Sequence, residues 1–242
     1  MKYEFNMNQK EAEKIVEQTR IGYDNIVGHF KETRTKFWAD AELFAQYVPY
    51  KGMVLDLGCG SGRFAPYVLK KSADYIGMDQ SETIIEAAKD QYAMDGAKFV
   101  AANLLDIPCK ENYFDAVFCL AALHHIPSEK FQQKAIDEIF RVLKPGGTAI
   151  MTTWNLRANY YKKRLKFTDE DLEKSDHTIP WYDSTGKLLM NRYVHVFEKD
   201  ELKALVEKAG FKIKKCHYIK NRKRANQQVG HNVFVEAEKP TS

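Results

Sequence analysis

At 242 residues the chain suits one large domain, or one domain with an insertion, and its 44% hydrophobic content is enough to bury a core. With 29% charged residues, 13 glycines and 7 prolines it reads neither as a membrane protein nor as a disordered or collagen-like chain. A formal charge of +4 is compatible with an anionic partner without demanding one. The four cysteines, Cys59, Cys109, Cys119 and Cys216, form no C-x-x-C pair, which argues against a structural zinc site and a disulfide scaffold. No metal site is expected. The first residues, MKYEFNMNQKEAEK, lack the apolar stretch of a signal peptide. No apolar run approaches the ~20 residues that span a bilayer. The expectation is a cytoplasmic protein with no membrane partner.

Residues 8–28 read as a charged amphipathic helix marked by Ile15, Ile21 and Ile26. Residues 35–48 read as a second helix, carrying Phe37, Trp38, Leu43, Phe44 and Val48 and stopped by Pro49. The pattern then changes to short, continuously apolar runs at 53–57, 74–79, 98–102, 114–120 and 148–153. Such runs fit strands buried on both faces of a parallel sheet. Between them, residues 81–93 and 128–143 have helical spacing; Ser81 can cap the first, and Pro145-Gly146-Gly147 ends the second. The alternation predicts a doubly wound, Rossmann-like α/β sheet. Residues 155–191 are polar, aromatic-rich and poorly periodic, an excursion that suits the rim of a site. A helix through Leu202, Leu205, Val206 and Ala209 closes at Gly210, and 211–219 with 232–237 predict a final antiparallel pair. The expected organisation is 1–49 as helices on the core, 50–154 as the core, 155–191 as the rim, and 192–242 as the end of the same domain.

The central motif is Leu55-Asp56-Leu57-Gly58-Cys59-Gly60-Ser61-Gly62-Arg63, between a strand and a helix. Glycines there permit a tight turn and close approach of a ligand to the backbone. The dinucleotide fingerprint G-x-G-x-x-G does not fit, because the third glycine comes one position early and Arg63 stands in its place. A Walker A loop needs G-K-[ST], which is absent.

The spacing Asp-x-Gly-x-Gly-x-Gly resembles motif I of the class I S-adenosylmethionine-dependent methyltransferases, a likeness that covers about residues 50–154. The resemblance implies S-adenosyl-L-methionine as cofactor, held by Asp56, Gly58, Gly60 and Gly62. Asp79, ending the second strand and followed by Gln80, matches the acid that binds the ribose hydroxyls; one carboxylate can accept from both. Asn103-Leu104 falls where the family often has an acid and the residue flanking adenine, with Asn in place of the usual Asp. Tyr23 and Leu120 complete the expected cofactor site. The strand start Phe114-Asp115 and the run from Arg141 to Gly147 also resemble the family.

The flanks narrow the resemblance. Tyr23…Ile26…His29-Phe30…Thr33-Arg34…Trp38, the pair His124-His125, Ile179-Pro180-Trp181 and Arg192-Tyr193-Val194-His195 occur in order. Together they look like the tRNA methyltransferases that esterify 5-carboxymethyluridine at the wobble position. That family has Tyr where Val194 stands and Val where Ile179 stands. The resemblance implies a tRNA substrate and, as in eukaryotic relatives, a small zinc-binding activator subunit. The nucleophile is then a carboxylate, already ionised at neutral pH, so no base is needed. Arg34, Arg192 and His125 are the candidate catalytic groups, with His124 as a further one for gripping carboxylate or base. Trp38, Trp181 and His195 read as structural.

Two basic groups, Arg157/Lys162/Lys163/Arg164/Lys166 and Lys212/Lys214/Lys215/Lys220/Arg222/Lys223/Arg224, read either as solvated faces or as phosphate contacts. Two rivals stay open: a small-molecule methyltransferase with 155–191 as its lid, and a catalytically silent binding module. Were the acceptor atom protonated instead, His125 would be the first candidate base.

Overall fold

The computed structural model describes residues 7–33, 40–92 and 96–241. Arg34, Phe37 and Trp38 lie outside the described residues. The predicted helix 8–28 is two helices: α1 (Gln9–Asn25) and α2 (Val27–Thr33), with a break at Ile26. Of the helix expected over 35–48, the described residues show α3 (Ala41–Ala45), which ends before Pro49.

The core then alternates as the apolar runs predict: β1 (Met53–Leu57), α4 (Ala65–Leu69), β2 (Asp74–Asp79), α5 (Glu82–Tyr92), β3 (Lys98–Ala101), β4 (Phe114–Leu120), α6 (Glu129–Val142) and β5 (Leu143–Trp154). Ser81 caps α5, its hydroxyl accepting from the Ile84 N–H at 3.2 Å. After β5 come α7 (Asn159–Leu165), α8 (Asp169–Glu173), β6 (Asp176–Tyr182), β7 (Leu188–His195), α9 (Lys199–Lys208), β8 (Lys212–Lys220), β9 (Lys223–Ala225) and β10 (Asn232–Glu238).

Among the described residues eight strands form one sheet in the order β3-β2-β1-β4-β5-β10-β8-β9. β1 to β5 are parallel, and β10 runs antiparallel between β5 and β8. Successive residues of the central strands alternate between two buried layers. Leu55, Val117 and Met151 pack with α6 and α9 on one face; Val54, Phe118 and Ile150 pack with α3, α4 and α5 on the other. Burial on both faces explains why these strands read as unbroken apolar runs.

Two expectations need correction. The run Lys144-Pro145-Gly146-Gly147 does not lie between α6 and its strand; β5 starts at Leu143, paired with Phe114. Lys144 reaches Asp115 at 2.8 Å, and Asp115 also accepts from the Met53 N–H. These residues tie the N-terminal ends of the strands, far from where such sheets bind ligands. The segment 155–191 is also more regular than its sequence suggests. Strands β6 and β7 form a separate antiparallel hairpin, so the boundary after 191 falls inside β7. Its periodicity is weak because Ile179, Val194, Val196 and Leu156 make a small core of their own.

Candidate active site

Strand order reverses between β1 and β4, and doubly wound sheets bind ligands at that crevice. A cavity of about 360 Å³ opens there. One end is the glycine loop. Gly58 has φ +69°, and a Cβ there would lie 2.3 Å from the Ala122 Cβ. Gly60 has φ +54°, and its N–H donates to Asp79 Oδ2 at 3.1 Å. The other Asp79 oxygen accepts from the Ser81 N–H at 3.1 Å. Burial raises the Asp79 carboxyl above its ordinary value, against these backbone donors.

Beneath the loop, Asp56 is buried and accepts from the Tyr75 hydroxyl at 2.7 Å. Burial lifts its pKa to about 7, with the Tyr75 bond and Arg63 pulling down and Asp79 pushing up. A buried carboxyl in this state has a neighbour to gain: a cation in the cavity would ionise it.

Among the residues foreseen from sequence, Tyr23, Asp56, Gly58, Gly60, Asp79, Gln80, Leu104, Leu120 and His125 line the cavity. Gly62 does not; with φ +76° and Phe99 packed 2.8 Å from where a Cβ would be, it shapes the turn instead. Asn103 does not line it either, and its Oδ1 accepts from the Leu105 N–H at 2.9 Å, closing a local turn. The carbonyl expected to face adenine is thus turned to its own backbone. Arg34 lies outside the described residues.

Tyr23 reaches the cavity because the end of α1 is latched to α5. Asp24 accepts from the Ser81 hydroxyl at 2.6 Å and from the Thr83 hydroxyl at 3.2 Å. The Tyr23 hydroxyl then lies 3.1 Å from His125 Nε2, while His125 Nδ1 lies 2.8 Å from the Tyr193 carbonyl. A carbonyl only accepts, so Nδ1 carries the proton, and in the neutral ring Nε2 accepts from Tyr23. His125 sits in a short 3-10 turn, Leu123–His125, that follows β4.

His124 faces the other way. It is fully buried, its Nδ1 accepts from the Trp154 N–H at 3.4 Å, and its Nε2 is buried without a partner. Burial, with His125 and Arg192 nearby, drives its pKa well below the usual imidazole value.

Arg192, foreseen as a catalytic group, does not line the cavity; it sits behind Tyr23 and Trp154, which do. Its guanidinium carbon is 4.6 Å from the Trp181 ring centre and 5.2 Å from that of Trp154. Burial lowers its pKa, opposed by the Tyr23 hydroxyl with which it hydrogen-bonds. Its Nε is buried without a partner, and among the described residues no carboxylate pairs with it. A desolvated cation stacked between two indoles, lacking an anion, is chemically ready to receive one. Trp181 also packs against Tyr23 and Phe30, so its structural reading holds while it serves as one face of this cage.

On the opposite wall the sequence marks only Tyr160 and Tyr161, as aromatic neighbours of the first basic group; Trp154, His231 and Asn232 carry no signal there. Trp154, Tyr161, His231 and Asn232 line the cavity there. Tyr161 stacks on Trp154 at 6.2 Å, and Tyr160 packs on His231 at 4.7 Å. These residues meet because Asn232 pairs with Trp154 where β10 joins β5. No local motif announces such a pairing. Among the described residues no group of three or more His, Cys, Asp or Glu side chains is arranged to hold a metal. No described helix is long and apolar enough to cross a membrane.

The loop end fits S-adenosylmethionine. The backbone approach at Gly58 and Gly60 is one that a Cβ would fill or strain, Asp79 lines the cavity at the end of β2, and Asp56 offers a buried carboxyl to a cationic ligand.

Comparison with known proteins agrees. Residues 55–151 match a family described as a methyltransferase domain. A tRNA (carboxymethyluridine(34)-5-O)-methyltransferase of Arabidopsis thaliana is 36% identical over 132 residues, 54% of this chain and 31% of the relative. The protein of the same name in Schizosaccharomyces pombe is 29% identical over 206 residues, 78% of this chain and 86% of the relative. The chain therefore aligns with about a third of the plant relative's length and most of the yeast one's. Among solved structures, a complex between the Haloferax volcanii Trm112 methyltransferase activator and a methyltransferase matches with TM-score 0.66 and 16% identity, covering 90% of this chain and 97% of that one. Fold, glycine loop and family match converge: residues 55–151 are a class I S-adenosylmethionine-dependent methyltransferase domain, and the chain around them keeps the fold of such enzymes.

Proposed function

We propose that this methyltransferase esterifies a carboxylate on an RNA base, and specifically the carboxymethyl group of a wobble uridine in tRNA. The observation that carries the reading is Arg192, a guanidinium with no carboxylate partner among the described residues, held against Trp154 and Trp181 and hydrogen-bonded to Tyr23 of the cofactor cavity. The likeness to tRNA carboxymethyluridine methyltransferases supplies the acceptor.

A carboxylate is ionised at neutral pH, so it needs desolvation and alignment rather than a base. When bound, S-adenosylmethionine supplies an electrophilic methyl group on a sulfonium. The guanidinium of Arg192 offers paired N–H donors to the carboxylate oxygens. The indoles on either side keep water from that pair and so strengthen it. Tyr23 donates to His125, whose ring is held by the Tyr193 carbonyl, and the two form the wall between cofactor and acceptor. Trp154 and Tyr161 present aromatic faces to a base. A methyl ester carries no charge, so methylation weakens the hold of Arg192 and favours product release. By likeness to the Haloferax neighbour, a small activator subunit is a further proposed partner.

The test is transfer of radiolabelled methyl to tRNA containing free 5-carboxymethyluridine, followed by mild alkali. The proposal expects label in the wobble nucleoside that alkali releases as methanol. Alkali-stable label in RNA would discard the ester. No label in RNA, with or without an activator, alongside label in small carboxylic acids, would favour a small-molecule enzyme.

A further inference from the structure

Two parts of the acceptor site hang on one strand. Arg192 belongs to β7, and the carbonyl of its neighbour Tyr193 holds His125 Nδ1 at 2.8 Å. Yet among the described residues β7 pairs with β6 alone, outside the main sheet. Met190 packs with Ile26, Phe30 and Ile84, and Val194 with Leu156; beyond that apolar packing, one side chain ties the strand's end to α9.

His195, the last residue of β7, does so. It is 8% exposed. Its Nδ1 lies 2.7 Å from Asp176, the first residue of β6, and its Nε2 lies 2.9 Å from Glu201 in the first turn of α9. Asp176 Oδ1 also accepts from the Tyr193 hydroxyl at 2.6 Å. Burial alone would lower the imidazole pKa, but Asp176 and Glu201 outweigh it and raise the value to about 9. Both ring nitrogens therefore donate at neutral pH. The groups facing the ring are Asp176 from β6, Glu201 from α9 and the Tyr193 hydroxyl through Asp176; His124 lies next outward, and His177 faces Asp176. His195 does not line the cavity.

We propose that His195 is a positioning residue for methyl transfer: clasped between Asp176 and Glu201, it anchors β7 so that the Tyr193 carbonyl orients His125 and Arg192 stays between its two tryptophans. The inference rests on the reading of Arg192 and His125 as acceptor-site residues. Without the clasp β7 slackens, Nδ1 of His125 loses its fixed acceptor, and the ring samples both tautomers.

Imidazole nitrogen–proton correlation spectra of the full chain test this without any acceptor. In the unsubstituted protein, His125 should show a single Nδ1–H tautomer near pH 7.5 and lose it as the pH passes about 9. His195→Gln should show mixed tautomers already at pH 7.5, with S-adenosylhomocysteine affinity within about twofold of the parent. Its methyl transfer at saturating acceptor should fall at least about tenfold. Glu201→Gln, which keeps an oxygen for the ring to bond, should move the tautomer signal less and in the same direction. A folded His195→Gln chain with the parent's His125 spectrum would overturn the proposal. If that variant does not fold, an unchanged His125 spectrum in Glu201→Gln from pH 7 to 10 would overturn it alone. Because the spectra need no acceptor, failure to find methyl transfer counts against the proposed function only.

Discussion

Asp56 lies below the glycine loop among Tyr75, Asp79 and Arg63, with its carboxyl raised to about 7. Its ordinary value is 3.8, so folding takes up a proton between those limits. The stability this carboxyl contributes is full below about pH 4 and is lost as the pH rises through about 7. Cofactor binding runs the opposite way, because a cation favours the ionised form. S-adenosylmethionine affinity should therefore rise from pH 6 to pH 8, by up to about tenfold per unit below the raised pKa. Calorimetry in buffers of different ionisation heat should show proton release near pH 6.5, and Asp56→Asn should flatten both effects.

Gly58 makes a second residue-level prediction. Its φ of +69° and the 2.3 Å approach to Ala122 mean that Gly58→Ala must shift β4's end as well as strain its own backbone. The expected loss is at least about 1–3 kcal/mol, read as a lower denaturant midpoint and weakened cofactor binding. Gly58, Gly60, Asp79 and His125 were legible in sequence because each sits at a strand's end within one βα turn. Asn103 misled because a turn competes for its side-chain oxygen, a contest that spacing does not reveal.

At the scale of elements, the latch between α1 and α5 decides where Tyr23 stands. Ser81 both caps α5 and donates to Asp24, and it is fully buried. Ser81→Ala should cost about 1–2 kcal/mol in chemical denaturation, with the m-value unchanged. It should also weaken cofactor binding by releasing Tyr23. The five parallel strands could be read from their apolar runs because both of their faces are buried. The β6–β7 hairpin could not, because its side chains pack on a small local core and on Arg192 rather than on the main layers. His195 read as structural for a related reason: its two carboxylate partners, Asp176 and Glu201, come from different elements.

Across the whole molecule, basic residues divide into those already satisfied and those available. Lys214 pairs with Glu238, Lys215 with Glu236 and Arg222 with Glu42. Among the described residues, Lys220, Lys223 and Arg224 form no such pair. They lie on β8 and β9, and β8 meets β10 where Asn232 borders the cavity. Charge alone in the sequence could not separate the two sets, since the acids that neutralise the first come from α3 and β10. Charge reversal at Lys220, Lys223 and Arg224 should weaken RNA binding and reduce the slope of log affinity against log salt by about 2–3. Methyl transfer to a minimal acceptor should change little.

The central claim is that Arg192 holds the acceptor as an anion. The direct measurement is the affinity of the S-adenosylhomocysteine complex for anticodon stem-loops that carry a carboxymethyl or a carbamoylmethyl group at the wobble uridine. The account predicts at least about a tenfold preference for the carboxylate, equivalent to ~1.4 kcal/mol, and its disappearance in Arg192→Met with cofactor affinity retained. Equal affinity for the two stem-loops, or a preference that survives Arg192→Met, would contradict it.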